Sequence, residues 1–169
     1  MIKFAGLLIL VAGTTSVGVY TVRQMEYREK LLRGLVESLE LLEWELSFRR
    51  PRMKELFCHL ASKMTGAVAS FYLACAERVD QTEVSLANVW ELSAYEHLKG
   101  LNDEDFEALL VLGSVLGQYD VQSQKESVVA VCERLRGCMS QAAEQRRQKG
   151  KVYSTVGAAA GILIGVLLL

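Results

Sequence analysis

A chain of 169 residues has room for one domain, and 51% of it is hydrophobic, with a mean hydropathy of +0.19 that is high for a soluble fold. A net charge of −1 gives no general attraction to nucleic acid, and no interleaving of aromatic and basic residues supplies one, so a nucleic-acid partner is not expected. The apolar excess is concentrated at the two ends. Phe4 to Val22 is a run of nineteen residues without a charge, and Val152 to Leu169 is a run of eighteen. At about 1.5 Å per residue each reaches roughly 27 Å, enough for a hydrocarbon core of about 30 Å.

The first run is longer than the apolar stretch of a secretory signal, and no A-x-A site follows it. An uncleaved membrane anchor is favoured over a cleaved leader. Arg23, Arg28, Lys30 and Arg33 follow this run, and Arg146, Arg147, Lys149 and Lys151 precede the second. Positive charge gathers on the cytoplasmic side of membrane helices, so both ends predict a cytoplasmic middle and external termini. The expected organisation is a transmembrane helix at 1–22, a cytoplasmic helical domain at 23–151 and a second transmembrane helix at 152–169.

Between the spans the expected fold is all-α, a bundle of about six helices. Pro51 is the only proline, and no segment alternates at period two for long. Leu32, Leu35, Leu39, Leu42 and Leu46 predict a first helix continuous with the membrane segment and ending near Phe48. Leu41, Trp44 and Phe48 add a second stripe, as though this helix were buried on two sides. Pro51 suits the first turn of a second helix carrying Met53, Leu56, Phe57, Leu60, Ala61 and Met64, closed by Gly66. Val68, Phe71, Tyr72, Cys75 and Val79 mark the third. Ser85 caps a fourth, with Leu86, Val89, Trp90 and Ser93 on one face. Asn102 caps a fifth, with Asp103, Glu104 and Asp105 favourable in its first turn and Phe106, Leu109, Leu110, Gly113 and Leu116 facing the core. Asp120 starts a long sixth, striped by Val121, Val128, Cys132, Leu135, Met139 and Ala142, with a flexure expected at Gly150 before the last span.

No catalytic constellation emerges, and no cofactor or metal is expected. There is no glycine-rich phosphate loop ending in Lys-Ser/Thr. His59 and His97 are the only histidines, and neither stands near a matching nucleophile in sequence. Cys58, Cys75, Cys132 and Cys138 lack C-x-x-C spacing and read as reduced, buried residues of a cytoplasmic domain. Three features exceed the needs of folding. Gly157, Gly161 and Gly165 repeat G-x-x-x-G on one face of the last helix, which lets two backbones approach closely in lipid. With Gly6, Ala12, Gly13, Thr14 and Gly18 in the first span, this predicts that the spans pair, within one chain or between copies as a homo-oligomer. Arg49, Arg50, Arg52 and Lys54 surround Pro51 at a helix N-terminus, where positive charge opposes the macrodipole. Either acidic neighbours compensate them or a partner does. Glu37, Glu40, Glu43 and Glu45 form an acidic run on the first helix, with Glu37 and Glu40 on a face away from the Leu stripe; a solvated face is favoured for the run over a docking surface.

Several segments, taken in order, resemble the stage III sporulation protein AB family of endospore-forming bacteria. Leu42-Glu43-Trp44-Glu45-Leu46-Ser47-Phe48, ahead of a helix opened by proline, resembles that family's Leu-Glu-x-Glu-Ile-x-Tyr segment. Leu112-Gly113-Ser114-Val115-Leu116-Gly117-Gln118-Tyr119-Asp120, followed by Gln124, is similar to its Leu-Gly-x-x-Leu-Gly-x-Ser-Asp. Lys151-Val152-Tyr153-Ser154-Thr155-Val156-Gly157 is similar to its Lys-x-Tyr-x-x-Leu-Gly. Arg52-Met53 departs from the usual leucine after the proline, so the resemblance does not extend to the basic cluster. Tyr119 stands where a small residue is commoner.

The resemblance implies a non-enzymatic component of the channel complex between mother cell and forespore. Its cytoplasmic domain is expected to resemble the inner-membrane platform of type II secretion and type IV pilus systems. By that analogy it docks the secretion-type ATPase of the same operon, beside other membrane proteins of the channel, in the mother-cell membrane. The candidate contact surface is Glu37, Glu40, Arg49, Arg50 and Arg52. The rival readings are a membrane-anchored helical adaptor or assembly factor unrelated to secretion, and a membrane-bound hydrolase, which would need a polar pocket in the bundle.

Overall fold

The computed structural model describes residues 2–49, 51–80, 85–117 and 120–167. Side-chain surroundings are described within these spans for Ser16 and for residues 19–149. Six α-helices follow one another, and there is no strand among the described residues: α1 (Ile2–Phe48), α2 (Met53–Lys63), α3 (Gly66–Arg78), α4 (Leu86–His97), α5 (Asp103–Val115) and α6 (Val121–Leu167). The first and last are 47 residues each. Among the described residues no helix is long and apolar enough to cross a membrane. The side chains of residues 1–15 and 150–169, which hold most of the two expected spans and Gly157, Gly161 and Gly165, lie outside that description. The backbone of α6 continues as helix through Gly150, so the expected flexure is not a break.

By packing, the chain divides into two compact units, Met1–Glu29 with Gln141–Leu169, and Lys30–Ser140. In the first unit Arg146 of α6 meets two carboxylates of α1, Glu29 at 3.2 Å and Glu26 at 3.7 Å. The second unit is the helical bundle. Here α2 packs on α3, α3 on α4 and α4 on α5. Its portions of α1 and α6 run antiparallel, since Glu40 meets Arg136 while Glu43, further along α1, meets the earlier Lys125.

The Leu stripe of α1 is buried throughout: Leu32, Leu35, Leu39, Leu42 and Leu46 all face the core. The second stripe turns the other way. Trp44 is 50% exposed and Phe48 73%, with their rings 5.4 Å apart, because the helices that cover α1 leave this side open. Pro51 lies ahead of the first turn it was expected to open, one position before the N-cap. Arg52 is the N-cap of α2, and its carbonyl accepts from the Leu56 N–H, so proline precedes the helix and sets the entry of the chain. Leu56, Phe57 and Leu60 are the buried residues of α2. Gly66 opens α3 rather than closing α2, at a φ of +61° that an L side chain rarely adopts.

The capping expectations hold in geometry. Ser85 Oγ accepts from the Asn88 N–H at 3.2 Å, and Asn102 with Asp105 forms a reciprocal capping box at 2.9 and 3.1 Å. Asp105 is itself buried, so its carboxylate is a structural cap. The core face of α5 is rotated from the expected one: Ala108, Leu109, Leu112 and Gly113 are buried, while Phe106 and Leu110 are half-covered. Phe106 instead stacks on Tyr95 of α4 at 4.9 Å. On α6, Val128, Cys132, Leu135 and Ala142 are buried as expected, Val131 and Cys138 join them, and Met139 and Val121 stay at the margin.

At the centre lies Trp90. Its ring centroid is 4.8 Å from Phe71, 6.0 Å from Phe57 and 6.1 Å from Tyr72, and its Nε1–H donates to the Leu109 carbonyl at 3.0 Å. Helix α5 can approach because position 113 has no side chain. A Cβ there would stand 3.1 Å from Trp90 Cβ and Cδ1 and 3.2 Å from the Ala87 backbone. Gly113→Ala gains about 1 kcal/mol of helix propensity. Overpacking against a backbone atom costs about 1–3 kcal/mol, so the expected net is a loss of stability, read as a lower urea midpoint of the full-length protein in detergent.

The four cysteines are free thiols, and three of them (Cys75, Cys132, Cys138) are buried; Cys58 is exposed, contrary to expectation. Burial pushes the Cys75 thiol up to about 12, opposed in part by a hydrogen bond with Ser93. Thiolate is the reactive form. Iodoacetamide at pH 8 is therefore expected to modify Cys58 in the folded protein and Cys75 only after unfolding, as mass spectrometry of the digested product reads directly.

Candidate functional site

The end of α1, the turn through Pro51 and the first turns of α2 bring charged residues of both signs together. Glu45, Arg49, Pro51, Glu55, Leu56 and His59 line a cavity of about 390 Å³. Glu45 belonged to an acidic run expected to face solvent, yet it is only 2% exposed. It lies three residues after Leu42, on the flank of the Leu stripe, and α2 crosses over it. Arg49, one turn further on α1 and 62% exposed at its side chain, has Nη1 3.6 Å from Glu45 Oε1. His59 Nε2 of α2 lies 3.3 Å from the same oxygen.

The basic cluster around the turn is compensated in part by the protein itself. Lys54 pairs with Asp80, at the end of α3, at 2.6 Å, and this hydrogen bond raises the Lys54 pKa. Arg49 lies against Glu45. Arg52, exposed at the N-cap of α2, makes no side-chain capping bond. Arg50 lies outside the described residues. Of the two alternatives left by the sequence, acidic neighbours therefore account for Lys54 and for Arg49.

The remaining candidate residues are spread out. Glu37 is exposed on α1, twelve positions before Arg49, which at about 1.5 Å per residue is roughly 18 Å. Glu40 is already engaged: Arg136 of α6 reaches it at 2.5 Å while also bonding Glu133, and the Glu40 bond is the main cause raising the Arg136 pKa. The structure thus brings Arg49 and Arg52 to one turn and leaves Glu37 and Glu40 on a separate stretch of α1. Glu45, Glu55 and His59, missed in sequence, complete the turn. Among the described residues no group of three or more His, Cys, Asp or Glu is placed to hold a metal ion.

The segment Leu112 to Gln124 is a structural device. Gly113 admits Trp90. Gly117 turns the chain at a φ of +81°, with Leu86 Cδ2 at 2.9 Å from where a Cβ would stand, and its N–H donates to Gln124 Oε1 at 3.1 Å. Gln124 is buried in that role, and Leu116, the residue before Gly117, is buried too.

Fold and site define an all-α bundle with a buried aromatic centre, two long helices at its ends in sequence, and a charged cavity at the α1–α2 turn. The chain belongs to the Stage III sporulation protein AB family, whose profile matches residues 3–169. It is 23% identical to Stage III sporulation protein AB of Bacillus subtilis (strain 168) over 171 residues, covering all of both chains. A solved structure of a Stage III sporulation protein AB shares the fold, with a TM-score of 0.66 at 21% identity, covering 72% of this chain and 98% of that one.

Because Glu40 and Arg136 are both about half-exposed, solvent screens their bond and it adds little stability. Arg136→Glu is expected to lower the urea midpoint of the full-length protein through repulsion with Glu40 and Glu133. The swapped pair Glu40→Arg with Arg136→Glu is expected to recover most of that loss, a coupling that a double-mutant cycle measures.

Proposed function

We propose that this protein is a non-enzymatic membrane platform component of the sporulation channel complex between mother cell and forespore. Residues 1–22 and 152–169 cross the mother-cell membrane with both termini external. Residues 23–151 form a cytoplasmic bundle that docks the secretion-type ATPase of the same operon, beside other membrane proteins of the channel. The observation that carries this reading is the family match from residue 3 to residue 169, which takes in both uncharged terminal runs as well as the bundle. The Lys and Arg residues that flank both runs on their inner side support the orientation. The docking surface of this reading is the α1–α2 turn, and the exposure of Arg52 there supports it. Gly157, Gly161 and Gly165 pack the last span against the first or against a second copy.

Two measurements test it. Tagged full-length protein recovered from sporulating cells is expected to retain the ATPase, and reversal of Arg49, Arg50 and Arg52 to Glu is expected to reduce that retention at least ten-fold; undiminished retention removes this surface. For topology, Cys58→Ser first removes the exposed native thiol. A cysteine then placed at Leu169 is expected to react with an impermeant reagent outside the cell, and one placed at Lys54 is not. The reverse pattern inverts the arrangement and removes the docking proposal with it.

A further inference from the structure

Glu45 is the one residue of the α1–α2 turn whose chemistry the fold leaves unfinished. Its side chain is 3% exposed, and among the described residues its Oε1 has no hydrogen-bond donor. Two cationic or potentially cationic groups are close, Arg49 Nη1 at 3.6 Å and His59 Nε2 at 3.3 Å, but neither completes a hydrogen bond. They supply attraction without a donor aimed at the oxygen. A buried carboxylate oxygen ordinarily finds such a donor, since leaving it without one is costly.

Glu45 lines the cavity of about 390 Å³. Ligand pockets run from about 300 to 1,000 Å³, so this one is at the small end of that range. Its walls offer a second carboxylate, Glu55, apolar surface from Pro51 and Leu56, and the Arg49 and His59 side chains that flank Glu45. The ligand chemistry these walls ask for is a donor-only cation with a flat, weakly hydrated head, able to bridge two carboxylates and lie against apolar surface. A guanidinium meets each requirement; an ammonium is more strongly hydrated and presents a point charge. Arginine is also enriched among residues that anchor protein interfaces.

The geometry points to this cavity as an acceptor for an arginine side chain of a partner protein, with the Glu45 carboxylate as the buried acceptor and Glu55 as the second. The inference deepens the docking reading, resting on it only for the source of the arginine.

The two histidines provide the probe. Full-length protein with ¹³C-labelled histidine, in detergent, is titrated with a capped Gly-Gly-Arg-Gly-Gly peptide while the ring signals of His59 and His97 are followed. The arginine peptide is expected to move the His59 signal saturably and leave His97 unmoved. The citrulline counterpart, equal in shape but neutral, is expected to move neither. Glu45→Gln is expected to weaken the arginine response at least ten-fold. Equal responses to the arginine and citrulline peptides overturn the inference on the unaltered protein, whether or not the variant folds. So does a His59 response to magnesium chloride without one to the arginine peptide, or an undiminished response in Glu45→Gln.

Recovery from sporulating cells separates the two readings. Loss of the ATPase on Glu45→Gln supports the cavity as its arginine acceptor, and full retention overturns that assignment. Absence of the ATPase from the unaltered protein overturns the docking reading instead, and the peptide titration still decides the cavity.

Discussion

The bundle depends on the indole of Trp90 being closed in from several helices at once. Phe57 of α2 and Phe71 and Tyr72 of α3 surround its ring, while its Nε1–H is satisfied by the Leu109 carbonyl of α5. A buried tryptophan needs both: apolar neighbours for its large ring and an acceptor for its N–H, whose loss costs about 1–3 kcal/mol. The same point explains Gly113. In a helix the N–H of residue 113 is directed at the carbonyl of residue 109, so the backbone that accepts from Trp90 is the backbone the indole lies against. Any side chain at 113 pushes α5 away from the acceptor it supplies. One indole thus fixes the mutual approach of α4 and α5 and, through its aromatic neighbours, the seat of α2 and α3.

Around that centre, α1 contributes leucines and one polar tie. Ser38 Oγ is buried, donates to the Leu35 carbonyl at 2.7 Å and lies within hydrogen-bond distance of Tyr72 Oη at 2.9 Å. Burial leaves the Tyr72 phenol harder to ionise than a free tyrosine. The ion pairs between α1 and α6 are of another kind. Glu40 with Arg136 and Glu43 with Lys125 are partly exposed and add little stability, but they are specific in register, because a shift of α6 by one turn would separate both. Apolar contacts hold the helices together, and charges select how far along they meet.

Much of this was legible because it is local. Ser85 and Asn102 could be read as caps from their place ahead of apolar runs, and the Leu stripe of α1 from its spacing, since both obey rules that operate within one or two helical turns. The failures have one cause. Trp44 and Phe48 look like core by composition, and Glu45 looks like surface, but which side of α1 is covered is decided by where α2 crosses it, a matter of tertiary packing. Phe106 and Leu110 misled in the same way, because the tight contact at Gly113 rotates α5. At the candidate site, Arg49 and Arg52 were found from their positions around Pro51. The partners that neutralise their neighbours were not: Asp80 is 26 residues from Lys54, and Arg136 is 96 from Glu40. No helical periodicity reports on contacts at such separations.

The placement of Glu45 follows from the same geometry that seats the tryptophan. Leu56 lines the charged cavity, and Phe57, the next residue of α2, packs against Trp90. The wall of the cavity and the edge of the aromatic core are therefore consecutive residues of one helix, and α2 cannot move to satisfy the carboxylate without disturbing the indole. Local choices in a folded protein usually agree with the fold, and departures concentrate where function requires them. A buried carboxylate held open by a rigid core is such a departure. Its rigidity has a consequence for binding: an occupant meets a cavity whose α2 wall is already ordered, so that cost does not fall on the association.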